Sequence, residues 1–447
     1  MKRLFGTDGI RGVAGTPPLD PTSVRKFGLA LASVLATEFQ HPPRVVCGRD
    51  TRESGPWLRD AMADGLAARG GTVTDAGVIT TPGLAYSTTS RGFDAGVMIS
   101  ASHNPFEDNG LKVFSRYGVK LEDALESRIE TIILDDTIAP PPEGGGRVVP
   151  DPTLASRYVS VLEGVLPPGR FRGLRIVLDC ANGSASAIAP AVFSDLGATV
   201  STQGDQPNGR NINLGCGSLH LEGLAARVRD GGFDLGLAFD GDADRCLAVD
   251  RRGRVIDGDH ILFLCGRGLK RRGALPGDAI VATIMSNFWL EKRLGDLGIR
   301  LHRAPVGDKY VLARMVAENA MLGGEQSGHV IFRDRGTTGD GILTGLLLVD
   351  AVLDDAVPVE TTLDGIVPYP QLLINVRVSG KPDLHAHPEI GPVVTAVERE
   401  LEGRGRVVLR YSGTESLARV MVEADDDALV RTTADRIAAV IREHLGG

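Results

Sequence analysis

The sequence predicts an α/β protein of several domains with mainly parallel sheets, closed by a separate α+β domain. Three observations predict this. Short apolar strands alternate with amphipathic helical patterns along most of the chain. At 447 residues the chain exceeds what one core organises, and the length implies roughly two to four domains. After Leu363 the pattern changes to strands and helices that no longer alternate as strand–helix–strand units.

In the first third, Arg44–Gly48, Thr72–Val78 and Asp94–Ser100 read as strands, with helices near Pro21–Phe39 and Ser54–Ala68. A break follows at Asp136–Pro152, where Pro140-Pro141-Pro142-Glu143-Gly144-Gly145-Gly146 is the most linker-like stretch. The next unit runs helix Leu154–Leu166, strand Leu174–Asp179, helix Ala185–Leu196, strand Ala198–Thr202, helix His220–Asp230 and strand Leu235–Asp240. A third carries strand Ala279–Ile284, helix Phe288–Leu297, strand Arg300–Ala304, helix Tyr310–Ala320 and a loop at Gly323–His329. The last has strands at Gln371–Val378, Arg406–Tyr411 and Ala418–Glu423, and helices at Pro392–Glu402 and Asp427–Leu445. The expected boundaries are 1–150, 151–253, 254–365 and 366–447.

Composition excludes several classes. The chain is 42% hydrophobic and 24% charged, with a net charge of −8, which argues against a nucleic-acid partner. The five cysteines are scattered, with no CxxC pair, so neither a disulfide framework nor a zinc site is indicated. The first residues lack the apolar stretch of a signal peptide, and no apolar run is long enough to span a membrane. The cytoplasm is the expected location. Nothing in the sequence sets an oligomeric state.

Four segments carry candidate chemistry. Ser100-Ala101-Ser102-His103-Asn104-Pro105 follows an apolar strand, at the end of the strand where parallel sheets bind ligands. Ser102 beside His103 is placed as an exposed nucleophile, although a polar strand-capping turn would look similar. Asp240-Gly241-Asp242-Ala243-Asp244-Arg245 sets three carboxylates at alternate positions, able to converge on a hard cation such as Mg²⁺. A calcium loop would require Gly and Glu where Arg245 and Arg251 stand. Gly324-Glu325-Gln326-Ser327-Gly328-His329 offers donors and acceptors suited to sugar hydroxyls, or else a solvated hairpin. Arg410-Tyr411-Ser412-Gly413-Thr414-Glu415, with Arg419 nearby, has the small residues, hydroxyls and guanidinium of a phosphate clamp, or of an ordinary β-turn. Arg11, in the glycine-rich Gly6–Gly12 stretch, and Arg245 are further phosphate partners.

Taken together the four segments resemble the α-D-phosphohexomutase family over essentially the whole chain, in family order and at family-like separations. The resemblance implies three related mixed- or parallel-sheet α/β domains plus a C-terminal α+β domain around a central cleft. It implies a phosphorylated Ser102, one Mg²⁺ held by Asp240, Asp242, Asp244 and the phosphoserine, and Arg11, His103, Lys112 and His329 as groups serving proton transfer or phosphoryl charge. Arg245, Glu325, Ser327, Arg410, Ser412, Gly413, Thr414 and Arg419 are the implied substrate-binding residues. A sugar phosphate would be the substrate and a sugar 1,6-bisphosphate the activator. The opening Phe5–Gly12 and Glu325–His329 look like the glucosamine-phosphate branch. Two departures lie in the clamp, where the family commonly has lysine at Tyr411 and proline at Ser416. A phosphomannomutase or phosphoglucomutase, a hydrolase discharging phosphoserine to water, and a non-catalytic sugar-phosphate sensor remain as alternatives.

Overall fold

A computed structural model describes residues 4–6, 8–412 and 415–446. The chain divides into two compact units, Met1–Thr283 with His302–Thr362, and Ile284–Leu301 with Leu363–Gly447.

The first unit is built on three sheets. The first has six strands in the order Ile10–Val13, Asp108–Ser115, Ala95–Ile99, Arg44–Arg49, Thr72–Val78 and Val148–Pro150. Its inner pairings are parallel, while Ile10–Val13 and Asp108–Ser115 join antiparallel. Ala95–Ile99 is buried at every position, as expected of a central strand covered on both faces. The second sheet runs Val255–Ile256, Cys246–Asp250, Leu235–Phe239, Arg175–Asp179, Thr199–Gln203. The third runs Arg300–Ala304, Ala279–Thr283, Leu322–Gly324, Val330–Phe332. Helix starts are set by local chemistry: Asp20 accepts the N–H groups of Thr22 and Ser23 at the head of Pro21–Phe39, and Thr80 accepts that of Gly83 at the head of Thr81–Ser90.

Several features depart from the sequence reading. The helices Thr81–Ser90, Asp123–Ile133, Gly258–Arg271 and Gly341–Leu353 were not expected. Gly341–Leu353 buries residues all around its circumference, from Ile342 and Leu343 to Val349 and Asp350, so it has no apolar stripe to read. Thr81–Ser90 is short and rich in hydroxyls, with little periodicity. The linker-like stretch is tied down: Gly146 N–H donates to Asp64 at 2.8 Å, and the chain then adds Val148–Pro150 in parallel beside Thr72–Val78. The Gly323–His329 loop begins as strand, because Leu322–Gly324 pairs antiparallel with Val330–Phe332.

The second unit has an antiparallel sheet in the order Gln371–Arg377, Leu417–Ala424, Gly405–Tyr411, packed by helices Ile390–Glu400 and Asp427–Leu445. Helix Phe288–Asp296 lies within this compact unit. The buried Glu423 accepts Phe288 N–H at 2.8 Å and pairs with Arg406, which also donates to the carbonyls of Ile284 and Ser286.

One buried carboxyl of the first unit makes its stability sensitive to pH. Asp340 caps Gly341–Leu353 and accepts the Tyr158 hydroxyl at 2.6 Å. Burial pushes its pKa up to about 6 despite those hydrogen bonds. The folded protein therefore binds this proton more tightly than the unfolded chain. The resulting stabilisation is present below pH 4 and is lost as pH rises through 6, by roughly 3 kcal/mol for two pH units. The melting temperature of wild type should fall relative to that of Asp340→Asn between pH 4 and 7. Parallel melting curves across that range would contradict this.

Candidate active site

The centre of the first unit is the meeting of two strand ends. Ser102 follows Ala95–Ile99, and Asp240 follows Leu235–Phe239. The turn at Ser102 is held from several sides. Ser102 itself has φ +55°, a left-handed conformation that non-glycine residues adopt rarely. Its N–H donates to Ser100 Oγ at 2.9 Å, so Ser100 serves the turn. Its carbonyl accepts Arg52 Nη2 at 3.2 Å and Asn213 Nδ2 at 2.9 Å, and the Asn104 carbonyl accepts the same two donors. Arg52 is fully buried and paired with Asp50.

The acidic loop approaches this turn very closely. A Cβ on Gly241 would stand 2.5 Å from the Ser102 carbonyl oxygen, so only glycine fits. As a result Ser102 Oγ donates to Asp240 Oδ2 at 2.5 Å and lies 3.2 Å from His103 Nδ1.

Asp240, Asp242 and Asp244 are buried, and each offers an oxygen within 4.8 Å of the others. Lys112 Nζ donates to Asp242 Oδ2 at 2.7 Å and lies 3.5 Å from Asp244 Oδ2. The Thr81 hydroxyl also donates to Asp242 Oδ2, at 2.6 Å. Asp242 Oδ1 and Asp244 Oδ1 are left buried without a partner. Buried carboxylate oxygens in this state fit a hard cation, so the loop can bind a metal.

Electrostatics differentiate the groups. Burial, then Asp244 and Asp242, push Asp240 well above the ordinary carboxylate range. Burial also opposes ionisation of Asp242, but Lys112 and the Thr81 hydrogen bond outweigh it and hold Asp242 low. Burial disfavours the Lys112 ammonium, yet Asp242, Asp8 and Asp244 more than offset this, so Lys112 stays charged. Burial, with Arg245 and Arg11 nearby, drops His103 to about 4 and leaves it a neutral acceptor at pH 7.

A cavity of about 440 Å³ opens beside this centre, lined by Asp8, Arg11, Lys120, Arg245, Asp308, Glu325 and His329 among others. Arg11 pairs with Asp8. Glu325 Oε1 accepts Gly307 N–H at 3.0 Å, and the Ser327 hydroxyl lies 3.5 Å from Glu325 Oε2. His329 Nε2 accepts Gly339 N–H at 3.2 Å, while its Nδ1 is buried without a partner.

In the second unit, Arg410 and Arg419 stand directly opposite each other on neighbouring strands. Arg419 Nη2 lies 3.5 Å from Ser412 Oγ and 3.4 Å from Glu415 Oε2. Lys381 Nζ donates to the Ser412 carbonyl at 2.7 Å. Burial and Arg419 lower the pKa of Arg410. Gly413 and Thr414 lie outside the described residues.

Comparison with known proteins accounts for this layout. Models of the phosphoglucomutase/phosphomannomutase family match along the chain: alpha/beta/alpha domain I over residues 2–138, domain II over 157–253, domain III over 257–369, and the C-terminal domain over 373–440. A phosphoglucosamine mutase of Solibacter usitatus is 49% identical over 446 residues, covering 100% of this chain and 99% of the relative. One from Brevibacillus brevis is 46% identical over 450 residues, covering 100% of both. The chain belongs to the phosphoglucomutase/phosphomannomutase family. It is thus an enzyme of the isomerase class. A solved family member from Burkholderia thailandensis superposes with a TM-score of 0.78 at 25% identity, covering 99% of each chain. An Aspergillus fumigatus N-acetylphosphoglucosamine mutase, solved with GlcNAc-6P and magnesium, shares the fold at a TM-score of 0.65 and 20% identity, over 98% of this chain and 95% of that one.

Within this family member, Ser102, His103, Lys112, Asp240, Asp242 and Asp244 come together at the paired strand ends, and Arg11, Arg245, Glu325 and His329 line the adjoining cavity. Sequence reasoning missed Asp8, Arg52, Thr81, Lys120, Asn213 and Asp308. Asp50 and Arg52 follow the apolar strand Arg44–Arg49, so a charged run at a strand's carboxyl end was available as a signal. Asn213 and Thr81 carry no such signal, because their roles depend on contacts over long sequence separations.

Asn213 supplies two of the four side-chain bonds accepted by the Ser102 and Asn104 carbonyls. Losing them should cost roughly 1–3 kcal/mol of positioning, or about ten- to a hundredfold in kcat, with KM little changed. Steady-state kinetics of Asn213→Ala test this, and an unaltered kcat would show that Arg52 alone suffices.

Proposed function

We propose that the protein interconverts glucosamine 6-phosphate and glucosamine 1-phosphate through a phosphorylated Ser102 and a sugar bisphosphate. The observation that carries this reading is Ser102 Oγ at 2.5 Å from Asp240, in a buried acidic loop with two unpartnered carboxylate oxygens. The full-length phosphoglucosamine mutase relatives, 43–49% identical, supply the choice of sugar.

In the first half-reaction a sugar hydroxyl oxygen attacks the phosphorus on Ser102. The new P–O bond forms as the bond to Ser102 Oγ breaks, and the hydroxyl proton leaves to a base of the site. Asp240, Asp242 and Asp244, with a phosphoserine oxygen, would hold Mg²⁺. When bound, that cation supplies charge neutralisation at the phosphoryl group. Lys112, kept as an ammonium, orients Asp242 and adds positive charge. His103 stays neutral, with Nδ1 3.2 Å from Ser102 Oγ, whose own proton goes to Asp240. Glu325 and Ser327 hold ring hydroxyls, Arg11 and Arg245 face the cavity as cations, and His329 Nδ1 carries the ring proton because Nε2 accepts Gly339 N–H. Arg410, Ser412 and Arg419 hold the phosphate that is not transferred. The bisphosphate then turns over, and Ser102 Oγ takes back the other phosphoryl group.

Two measurements bear on this. Intact-mass and peptide spectrometry should find one added phosphoryl group on Ser102 in purified protein or after treatment with sugar 1,6-bisphosphate, and Ser102→Ala should be inactive. A label on Ser100, or turnover by Ser102→Ala, would overturn the phosphoserine. Assays of glucosamine, glucose and mannose 6-phosphates should favour glucosamine by about tenfold or more in kcat/KM, with activity lost in chelator and restored by Mg²⁺. A preference for mannose would move the protein to another branch of the family.

A further inference from the structure

Asp308 lines the cavity of the first unit, just beyond strand Arg300–Ala304. Its neighbour Gly307 donates its N–H to Glu325, so Asp308 shares the cavity lining with the carboxylate proposed to read ring hydroxyls and is one residue from its backbone partner. The two oxygens of Asp308 are used differently. Oδ1 accepts Lys120 Nζ at 2.8 Å and Lys309 N–H at 2.8 Å. Oδ2 accepts no hydrogen bond from any described residue. The nearest basic atom to it is His329 Nε2 at 3.8 Å, and that nitrogen already accepts Gly339 N–H, so it has no proton to offer.

The charge around Asp308 is also incomplete. Lys120 is shared with Asp8, at 2.6 Å, so one ammonium serves two carboxylates. Asp8 has Arg11 and Lys112 as further cations, whereas among the described residues Asp308 has, beyond Lys120, only the His329 ring, at 3.8 Å and a cation only when protonated. Burial works against ionisation of Asp308, but Lys120 outweighs it and holds the carboxyl below its ordinary range. The side chain is therefore an anion in a residue that lines the cavity, and its Oδ2 accepts no hydrogen bond from a described residue. A hexose hydroxyl there would leave the charge unbalanced, whereas an ammonium supplies both the hydrogen bond and the charge.

We propose that Asp308 Oδ2 receives the C2 ammonium of glucosamine phosphate and so sets the preference for the amino sugar over neutral hexoses. This rests on the proposed function. C2 adjoins the C3 hydroxyl, so a carboxylate in the same cavity lining as Glu325 is suitably placed when Glu325 holds that hydroxyl. Because the sugar turns over between half-reactions, the contact forms in one of its two orientations.

The test compares kcat/KM for glucosamine 6-phosphate and glucose 6-phosphate in wild type and Asp308→Asn, which keeps the side chain's shape and the Oδ1 contacts. The variant should lose about tenfold or more with glucosamine 6-phosphate while glucose 6-phosphate stays within about threefold. In wild type the preference should also fall as pH rises and the sugar ammonium loses its proton, and in Asp308→Asn the ratio should be flat. The wild-type pH dependence alone decides the matter should the variant fold poorly. Equal loss for both sugars with a pH-independent ratio would make Asp308 structural and overturn the proposal. A wild-type preference that survives in Asp308→Asn would also overturn it while leaving the proposed function standing. If wild type shows no preference for the amino sugar, both fall.

Discussion

Burying three carboxylates together is costly, and the arrangement of the first unit follows from how that cost is met. Asp240, Asp242 and Asp244 are withdrawn from water within 4.8 Å of each other, where mutual repulsion and desolvation both favour protonation. Lys112 answers part of this, and its strand Asp108–Ser115 is hydrogen-bonded to Ala95–Ile99, the strand that leads into the Ser102 turn. The same lysine therefore ties the acidic loop of the second sheet to the nucleophile turn of the first. Its charge goes mainly to Asp242, however, and Asp240 stays proton-prone while Asp242 Oδ1 and Asp244 Oδ1 remain unpartnered. A single ammonium cannot satisfy three carboxylates. The balance left over is what a divalent cation and the oxygens of a phosphoserine would supply.

Precision at Ser102 comes from backbone fixation more than from the side chain. A left-handed serine costs of order 1–3 kcal/mol and persists only where its surroundings determine it. Here the Asp50–Arg52 pair, Asn213 and Ser100 all bond to the turn, and three of these residues lie far from it in sequence. Gly241 completes the arrangement by letting the acidic loop pass within contact of the Ser102 carbonyl. A larger residue there would separate nucleophile and carboxylates, whatever their identities.

These facts explain which parts of the site were legible in the sequence. Ser102 and the three aspartates stood out because their signals are local: a polar run after an apolar strand, and acids at alternate positions. The strands of the first unit were readable for the same reason, since apolar runs such as Ala95–Ile99 are continuous in sequence. Gly341–Leu353 was not, because a helix buried on nearly all sides has no stripe. Thr81, Asn213 and Asp308 act on residues far away in the chain, and only the fold brings them to their partners. The bonds from Glu423 and Arg406 to Phe288 and Ile284 are of the same long-range kind, spanning more than a hundred positions.

The second unit shows the opposite imbalance of charge. Arg410 and Arg419 face each other across neighbouring strands, and like charges in that relation destabilise a sheet. The pKa of Arg410 is lowered by burial first, and the same repulsion from Arg419 adds to it. Lys381 brings a third cation to the Ser412 turn, whereas among the described residues the carboxylate on Arg419 is Glu415, at 3.4 Å and largely exposed. Such a pair is stable in isolation only at the expense of the sheet that carries it. An anion with several acceptor oxygens removes the repulsion and gains charge-assisted bonds from both guanidiniums. That logic does not depend on Gly413 or Thr414, nor on whether position 411 is lysine or tyrosine. Tyr411 donates its hydroxyl to the Pro382 carbonyl at 2.7 Å, so the departure from the family pattern is absorbed by a contact within the unit and leaves the arginine pair intact.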